Sequence, residues 1–414
     1  MNLQSGKLYW PTTIADAPAY PALEEDIDCD VLIIGGGGSG AQCAYYLSQH
    51  DLDVVVVDKR KCGYGSTSSN TALIQYLGDK MCFELVNTFG EENTIRHLTL
   101  CQQAINEIDK AAASLPIDAA FMRRDSLYYA SDSDDVAKVT REYELLTRHG
   151  FDVEYVTEEQ IRRMYPFAKR AALYIKNDGE VNPYAFTLGL LEKARAQGVR
   201  VYEKTEITGK VLREDRSTFY TKDRRAIHAR YAIFAEGYET LEEKKEKNAV
   251  LSSSYAVVTN QLAAEDFASW HKRTLIWETA RPYIYMRTTR DNRVIIGGLD
   301  ENTTYADTRD AKLLQKKDKL IEEFTTLFPD IPVRPEFYLG AFYGGTHDGL
   351  PMIGMYDSFP NCYFVYAYGD NGTVYSMTLA KIIAQSIVNG SQPDLDLYLQ
   401  TRPFMHKKES VHEN

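Results

Sequence analysis

No run of this sequence is apolar for long enough to cross a bilayer, which excludes a membrane-spanning helix from the reading. Residues 1–30 lack a basic region followed by an apolar core, so no secretory signal is expected there. Cysteine is sparse and scattered: Cys29, Cys43, Cys62, Cys82, Cys101 and Cys362 include no C-x-x-C pair. That excludes a disulfide scaffold and suits reduced thiols in a cytoplasmic protein. His97, His149, His228, His271 and His347 stand apart from one another, and no spacing of metal ligands occurs, so no metal is expected. Positive charge is in short supply. Lys and Arg total 47 against 59 Asp and Glu, and the net charge of −12 argues against nucleic acid and anionic membranes as partners. Internal repeats and low-complexity tracts are absent too. What remains is a 414-residue chain of ordinary composition, long enough for two domains.

The informative stretch is Val31-Leu-Ile-Ile-Gly35-Gly-Gly37-Gly-Ser39-Gly40. Val31 to Ile34 is too short for a helix and rich in β-branched residues, so it reads as a buried parallel strand. Gly35, Gly37 and Gly40 fit G-x-G-x-x-G. The first glycine turns the chain sharply, the second lets a pyrophosphate approach the backbone, and the third lets the next helix pack on the sheet. That helix, from about Ser39 to Ser48, aims its free N–H groups at the phosphates. A second apolar run, Val54 to Val57, ends in Asp58, whose carboxylate can accept hydrogen bonds from ribose hydroxyls. Together these predict an adenine dinucleotide site. Lys59, Arg60 and Lys61 follow, but Asp58 would repel a 2′-phosphate, which disfavours NADP.

The rest of the chain alternates helical and strand signals. Residues 1–27 carry Trp10, Pro11, Pro18 and Pro21 and read as an extended surface arm. Helical spacing is predicted over 91–113, 134–149, from Pro183 (with Asn182 as N-cap) to about Gln197, over 310–328 and from about Ser376 to Val388. Buried strands are expected at Ala172–Ile175, Tyr231–Ala235 and Tyr363–Tyr366, and residues 255–300 look β-rich. The charged run 240–247 reads as a solvated face. Dinucleotide-type elements recur near the start, middle and end, so that domain is expected in three pieces. The expected partition is 28–112, 170–250 and 338–396 for the nucleotide domain, 113–169 and 251–337 for a second domain, and 397–414 for a polar tail.

Three segments combine into a resemblance. They are the glycine fingerprint with Asp58 and Gly65-Ser66-Thr67-Ser68-Ser69-Asn70, the strand Tyr231 to Gly237 ending Ala-Glu-Gly, and Thr346-His347-Asp348-Gly349-Leu350-Pro351-Met352-Ile353-Gly354 followed by Tyr368-Gly369-Asp370-Asn371-Gly372-Thr373. Together they resemble the D-amino-acid oxidase and glycine oxidase (DAO) family of FAD-dependent oxidoreductases. The resemblance implies an α/β fold, with a discontinuous Rossmann-type FAD domain and a smaller α+β substrate domain built on a mixed sheet. It implies non-covalent FAD held by Gly35, Gly37, Ser39, Gly40, Asp58, Lys59, Ser66, Thr67, Ser69, Asn70, Ile207, Ala235, Gly237, Asp348, Gly369, Asn371, Gly372 and Thr373. The chemistry implied is oxidation of a C–N bond of an amine or amino-acid-like molecule by hydride transfer to flavin N5. Oxygen or another acceptor would then take the electrons.

The sequence also departs from the family. Glycine oxidase-like members carry a carboxylate-clamping arginine where Tyr343 aligns here, so a bidentate partner for a simple α-amino acid is missing. The stretch Tyr283-Ile-Tyr285-Met-Arg287 places Tyr283, Tyr285 and Arg287 on one face by period-two alternation, as a substitute polar wall. His347 lies near the flavin by motif position. The candidate catalytic residues are therefore Tyr283, Arg287, Tyr343 and His347. Ile295 stands at the lysine position that helps oxygen react in sarcosine oxidase-like members, which opens the choice between oxidase and dehydrogenase. Ser69 corresponds to a flavin-tethering histidine, and no cysteine matches near Tyr343. A flavin-dependent 2-hydroxy-acid oxidoreductase, a flavin-bearing subunit of a multi-subunit amine dehydrogenase and an NAD-dependent dehydrogenase are the alternatives.

Overall fold

A computed structural model describes residues 1–402 of the chain. Two sheets organise it. The smaller runs in the order Met352–Gly354, Cys362–Tyr366, Ala226–Phe234, Ile27–Ile34, Val54–Val57, Arg200–Tyr202. Its five inner and far-edge strands are parallel, and Met352–Gly354 adds an antiparallel edge. The apolar runs explain the core here. Val54 to Val57 are wholly buried, and burying each side chain stabilises the fold by about 1.5–3 kcal/mol. The helix after the fingerprint spans Gly38–Leu47, and it packs between Pro183–Ala196 and Gly372–Asn389. Asn182 caps the middle helix as expected, its Oδ1 accepting from the N–H groups of Tyr184 and Ala185 at 3.1 and 3.0 Å.

The larger sheet is mixed and has ten strands. Its path runs Gln4–Lys7, Pro335–Thr346, Ala249–Thr259, Val294–Glu301, Ile284–Thr288, Leu275–Glu278, Met122–Tyr129, Ala171–Glu180, Leu73–Ile74, with Val153–Thr157 also on Ala171–Glu180. This changes the expected partition. Leu73–Ile74, Ala171–Glu180 and Pro335–Thr346 all belong to this sheet, although residues 28–112, 170–250 and 338–396 were assigned to the nucleotide unit. Nor do residues 1–27 form a loose arm: Gln4–Lys7 pairs antiparallel with Tyr338 to Ala341, and Leu3, Tyr9, Trp10, Tyr20 and Leu23 are buried. Strand pairing across more than three hundred residues leaves no local trace in an amphipathic segment this short.

The expected polar tail is described only as far as Arg402. Tyr398 is buried, and Arg402 makes a buried ion pair; residues 403–414 of that expected tail lie outside the described part. The final long helix begins at Gly372, four residues before its expected start. Among the described residues no helix is long and apolar enough to cross a membrane.

Candidate active site

A groove of about 350 Å³ runs between the two sheets. It starts at the carboxyl ends of the parallel strands, at Ile34, Val57 and Ala235, and finishes against the face of the large sheet at Tyr255, Trp277 and Tyr285. Crevices at this position are where open α/β sheets bind ligands.

Backbone builds the first end. Gly40 is there because a Cβ would sit 1.8 Å from the Gly35 carbonyl oxygen, so only glycine lets the helix meet its own strand. Gly37 is different. Its φ of −84° is ordinary and an added Cβ would meet only Thr67 Oγ1, at 3.2 Å. The space above it is the cradle itself. Gly38 N–H donates to Thr67 Oγ1 at 3.0 Å, and Ser39 Oγ lies 2.7 Å from Ser376 Oγ, tying two helix N-termini together at the groove floor. Asp58 accepts from the N–H groups of Gly36 and Arg60 at 2.8 and 2.7 Å. Burial raises its pKa, and those two N–H groups oppose the rise. Arg60 grips Glu239 with both terminal nitrogens at 2.7 and 2.8 Å, and Lys59 reaches the same carboxylate at 3.2 Å. Lys59 and Arg60, two of the three cations that follow Asp58, are thus paired with Glu239.

Side chains build the second end. Tyr283 Oη donates to Asp370 Oδ1 at 2.9 Å. Tyr343 Oη lies 2.5 Å from the same oxygen and 2.8 Å from Asp79 Oδ2. A hydroxyl has one proton and cannot donate fully to both, so the two carboxyls compete for it. Burial first, and the charge of Asp79 second, raise Asp370 well above the usual carboxylate range. Asp300, on the same wall, is pushed up to about 6, mainly by burial. Above them stands the N-terminus of Gly372–Asn389. Gly372 and Thr373 line the groove, and the first-turn N–H groups of a helix have no partner inside it.

The structure gathers most of the predicted residues at one groove. Gly35, Gly37, Ser39, Asp58, Lys59, Ser66, Thr67, Ser69, Asn70, Ile207, Ala235, Gly237, Gly369, Gly372 and Thr373 line it, as do Tyr283 and Tyr343. Gly40 lies behind it in its packing role. Four others do not line it. Asp348 is buried and bound to Arg402 by both oxygens, at 2.6 to 2.8 Å, away from the groove. Asn371 turns inward and donates to the Leu77 carbonyl at 2.7 Å. Arg287 follows the predicted alternation yet never reaches the cavity. Its guanidinium donates to the carbonyls of Thr71, Val181 and Thr288 at 2.6, 2.8 and 3.2 Å, and burial lowers its pKa to about 10. His347 is exposed, and its carbonyl accepts from Lys80 Nζ at 2.6 Å.

Several residues at the groove escaped the sequence reading as site residues: Gln42, Glu236, Asp300 and Asp370, with Asp79 behind Tyr343. Asp370 and Glu236 each sit beside a glycine that the motifs had singled out, which was the available signal. Five of these residues carry a fully buried polar atom with no hydrogen-bond partner in the protein: Gln42 Oε1, Asp79 Oδ1, Glu236 Oε2, Asp300 Oδ1 and Asp370 Oδ2. Burial, with Glu243 second, raises Glu236 to about 8. Unpartnered polar atoms along a groove whose floor is glycine and helix N-termini fit an extended dinucleotide. Residues 30–386 match the family model FAD dependent oxidoreductase, DAO.

The chain belongs to the DAO family of FAD-dependent oxidoreductases.

Its cofactor is therefore FAD, and no histidine or cysteine is among the groove-lining residues to tether it. The gamma-glutamylputrescine oxidoreductase of Escherichia coli (strain K12) is 22% identical over 94% of this chain and 90% of its own. The Bacillus subtilis (strain 168) protein "Putative Rieske 2Fe-2S iron-sulfur protein YhfW" is 30% identical, but the match spans 56% of this DAO chain and less than half, 44%, of that relative. A crystal structure of glycine oxidase from Geobacillus kaustophilus shares the fold, with a TM-score of 0.75 at 18% identity over 91% of this chain and 99% of that one.

Proposed function

We propose that this oxidoreductase oxidises a C–N bond of a small amine or amino-acid-like molecule at the tyrosine-lined end of the groove. FAD bound along the groove supplies the hydride acceptor, flavin N5. Gly35, Gly37, Ser39, Asp58, Lys59, Ser66, Thr67, Ser69, Asn70, Ile207, Ala235, Gly237, Gly369, Gly372 and Thr373 are the residues we assign to holding it. The observation that carries the reading is a convergence. A helix N-terminus, at Gly372 and Thr373, meets the Tyr283–Asp370–Tyr343 cluster at one end of a single cavity.

Each part has a task there. Unpaired N–H groups of the helix stabilise negative charge that develops beside them. Trp277, Tyr285, Leu339 and Phe342 wall the cavity with apolar surface and exclude water. Desolvation of this kind lowers the pKa of a substrate ammonium, so its nitrogen gives up the proton and its lone pair can assist hydride departure. Tyr283 and Tyr343, fixed by Asp370, orient the substrate; positioning and electrostatics carry the rate, with no strong base required. Electrons leave to oxygen or to another acceptor.

The test is a visible spectrum of the purified protein, followed by anaerobic mixing with panels of amines and of 2-hydroxy acids. Bleaching by amines is the expected result. Bleaching by hydroxy acids alone replaces the reaction with C–O oxidation, and no bleaching by either panel, with FAD retained, marks a subunit that works only with a partner.

A further inference from the structure

A second cavity, of about 390 Å³, adjoins the substrate end of the groove. The two share Tyr283 and Asp300 as a common wall, and Asp79 lines the second cavity from the other side. Asp79 and Asp300 make this wall acidic. Asp79 Oδ1 and Asp300 Oδ1 are both fully buried atoms with no hydrogen-bond partner. Lys80, Lys138 and Arg281 also line the second cavity, and each already has partners in the protein. Arg281 spends Nη1 on the carbonyls of Glu278, Thr279 and Ala280 and Nη2 on the carbonyl of Asp79, while its guanidinium carbon stacks 5.0 Å above the Tyr283 ring. Lys138 is paired with Asp135 at 2.6 Å, and Lys80 Nζ is bound to the His347 carbonyl. No arginine or lysine lines the substrate end of the first groove among the described residues; Lys59 and Arg60 sit at the opposite end, on Glu239.

Two buried carboxylate oxygens without partners demand a donor, and a positive one satisfies them best. Tyrosine rings at 283 and 343 flank the spot, and aromatic faces favour cations as well. A carboxylate placed against this wall would meet Asp79 and Asp300, and the Arg281 fork already spends both terminal nitrogens on carbonyls.

We propose that the substrate is an elongated amine with a second cationic group and no carboxylate. Its second cation is held by Asp79 and Asp300 at the wall between the two cavities. This inference rests on the C–N oxidation reading above and names the substrate class for that site. The reacting nitrogen lies in the first groove, and the distal cation reaches through toward the second cavity. Asp79 and Asp300 are specificity residues here, and Asp370 keeps its place in fixing the two tyrosines.

Calorimetric titration of the FAD-loaded protein with 1,4-diaminobutane, n-butylamine and 4-aminobutanoate tests it without turnover. The diamine is expected to bind at least about tenfold more tightly than butylamine, with 4-aminobutanoate the weakest of the three. Asp300→Asn and Asp79→Asn, each checked by thermal melting and retained FAD, are expected to cut that preference for the diamine at least about tenfold. Tighter binding of 4-aminobutanoate, equal binding of the two amines, no binding of any of the three, or an unchanged preference in a folded Asp300→Asn protein overturns the inference. Anaerobic mixing with the same compounds separates the two claims. A diamine that binds in this pattern without bleaching the flavin leaves the cation site standing and removes the reaction. Bleaching by 4-aminobutanoate in preference to the diamine keeps the reaction and removes the cation site.

Discussion

The two ends of the groove are made of different materials. The nucleotide end is mostly backbone: glycines, strand ends and helix N-termini, all set by short stretches of sequence. The substrate end is mostly side chain: Tyr283, Tyr343, Asp79, Asp300 and Asp370 arrive from four separate segments and hold one another in place. Backbone sites tolerate little change where an added side chain would fill the space the ligand needs, as at Gly37. Side-chain sites can be rewritten one residue at a time, which is how one fold carries many substrates.

The comparison can be broken at either end. Gly37→Val should cause the largest effect: its side chain fills the phosphate cradle, and the protein should purify folded but colourless, read as visible absorbance per protein. A variant as yellow as the parent would refute the placement of the diphosphate. Next comes Arg402→Ala, which strands the buried Asp348 carboxylate; breaking such a pair costs about 3–5 kcal/mol. Thermal melting should show that loss, and the folded fraction should keep its FAD, because the pair supports the fold and not the groove. Tyr343→Phe keeps the ring and removes the hydroxyl between Asp79 and Asp370. Turnover is expected to fall roughly 10- to 100-fold, about 1.4–2.8 kcal/mol of barrier, at unchanged FAD content.

A smaller effect concerns pH. Asp178 lies buried in the large sheet, accepting from Ser126 Oγ at 2.5 Å, and burial raises its pKa from 3.8 to about 8. An acid whose folded pKa exceeds its unfolded value binds more protons when folded, so stability falls as pH rises through that window. The melting temperature should therefore drop between pH 5 and pH 8, and Asp178→Asn should flatten that drop. The smallest effect is expected from His347→Gln. Its ring is exposed and off the groove, so activity and melting should match the parent within about the spread of ordinary surface changes, ±0.5 kcal/mol.

The same contrast explains what could be read from the chain beforehand. The strand, glycine turn, helix and Asp58 lie within thirty residues, and each part acts through its neighbours. The Asn182–Pro183 helix start is equally local. At the substrate end, alternation correctly put Ile284 and Met286 in the opposite core and Tyr283 and Tyr285 in the groove. It could not say how far along the strand the groove extends, and Arg287 falls beyond it. Asp348 was chosen by motif, yet its partner Arg402 lies fifty-four residues on, in a stretch read as polar tail. Asp79 and Asp300 gave no sign at all, since a single aspartate beside a glycine or a turn is usually solvated. Their meaning arises only when two strands and a loop bring them to one wall.

The glycine helix lies between a helix from the middle of the chain and one that begins at Gly372. While the polypeptide is being made, the ribosome must therefore finish most of its work before the last wall of the groove exists. A chain that ends short of that helix lacks Gly372, Thr373 and Ser376, which line the groove. The cleft for the cofactor is therefore complete only once the C-terminal part of the chain is in place.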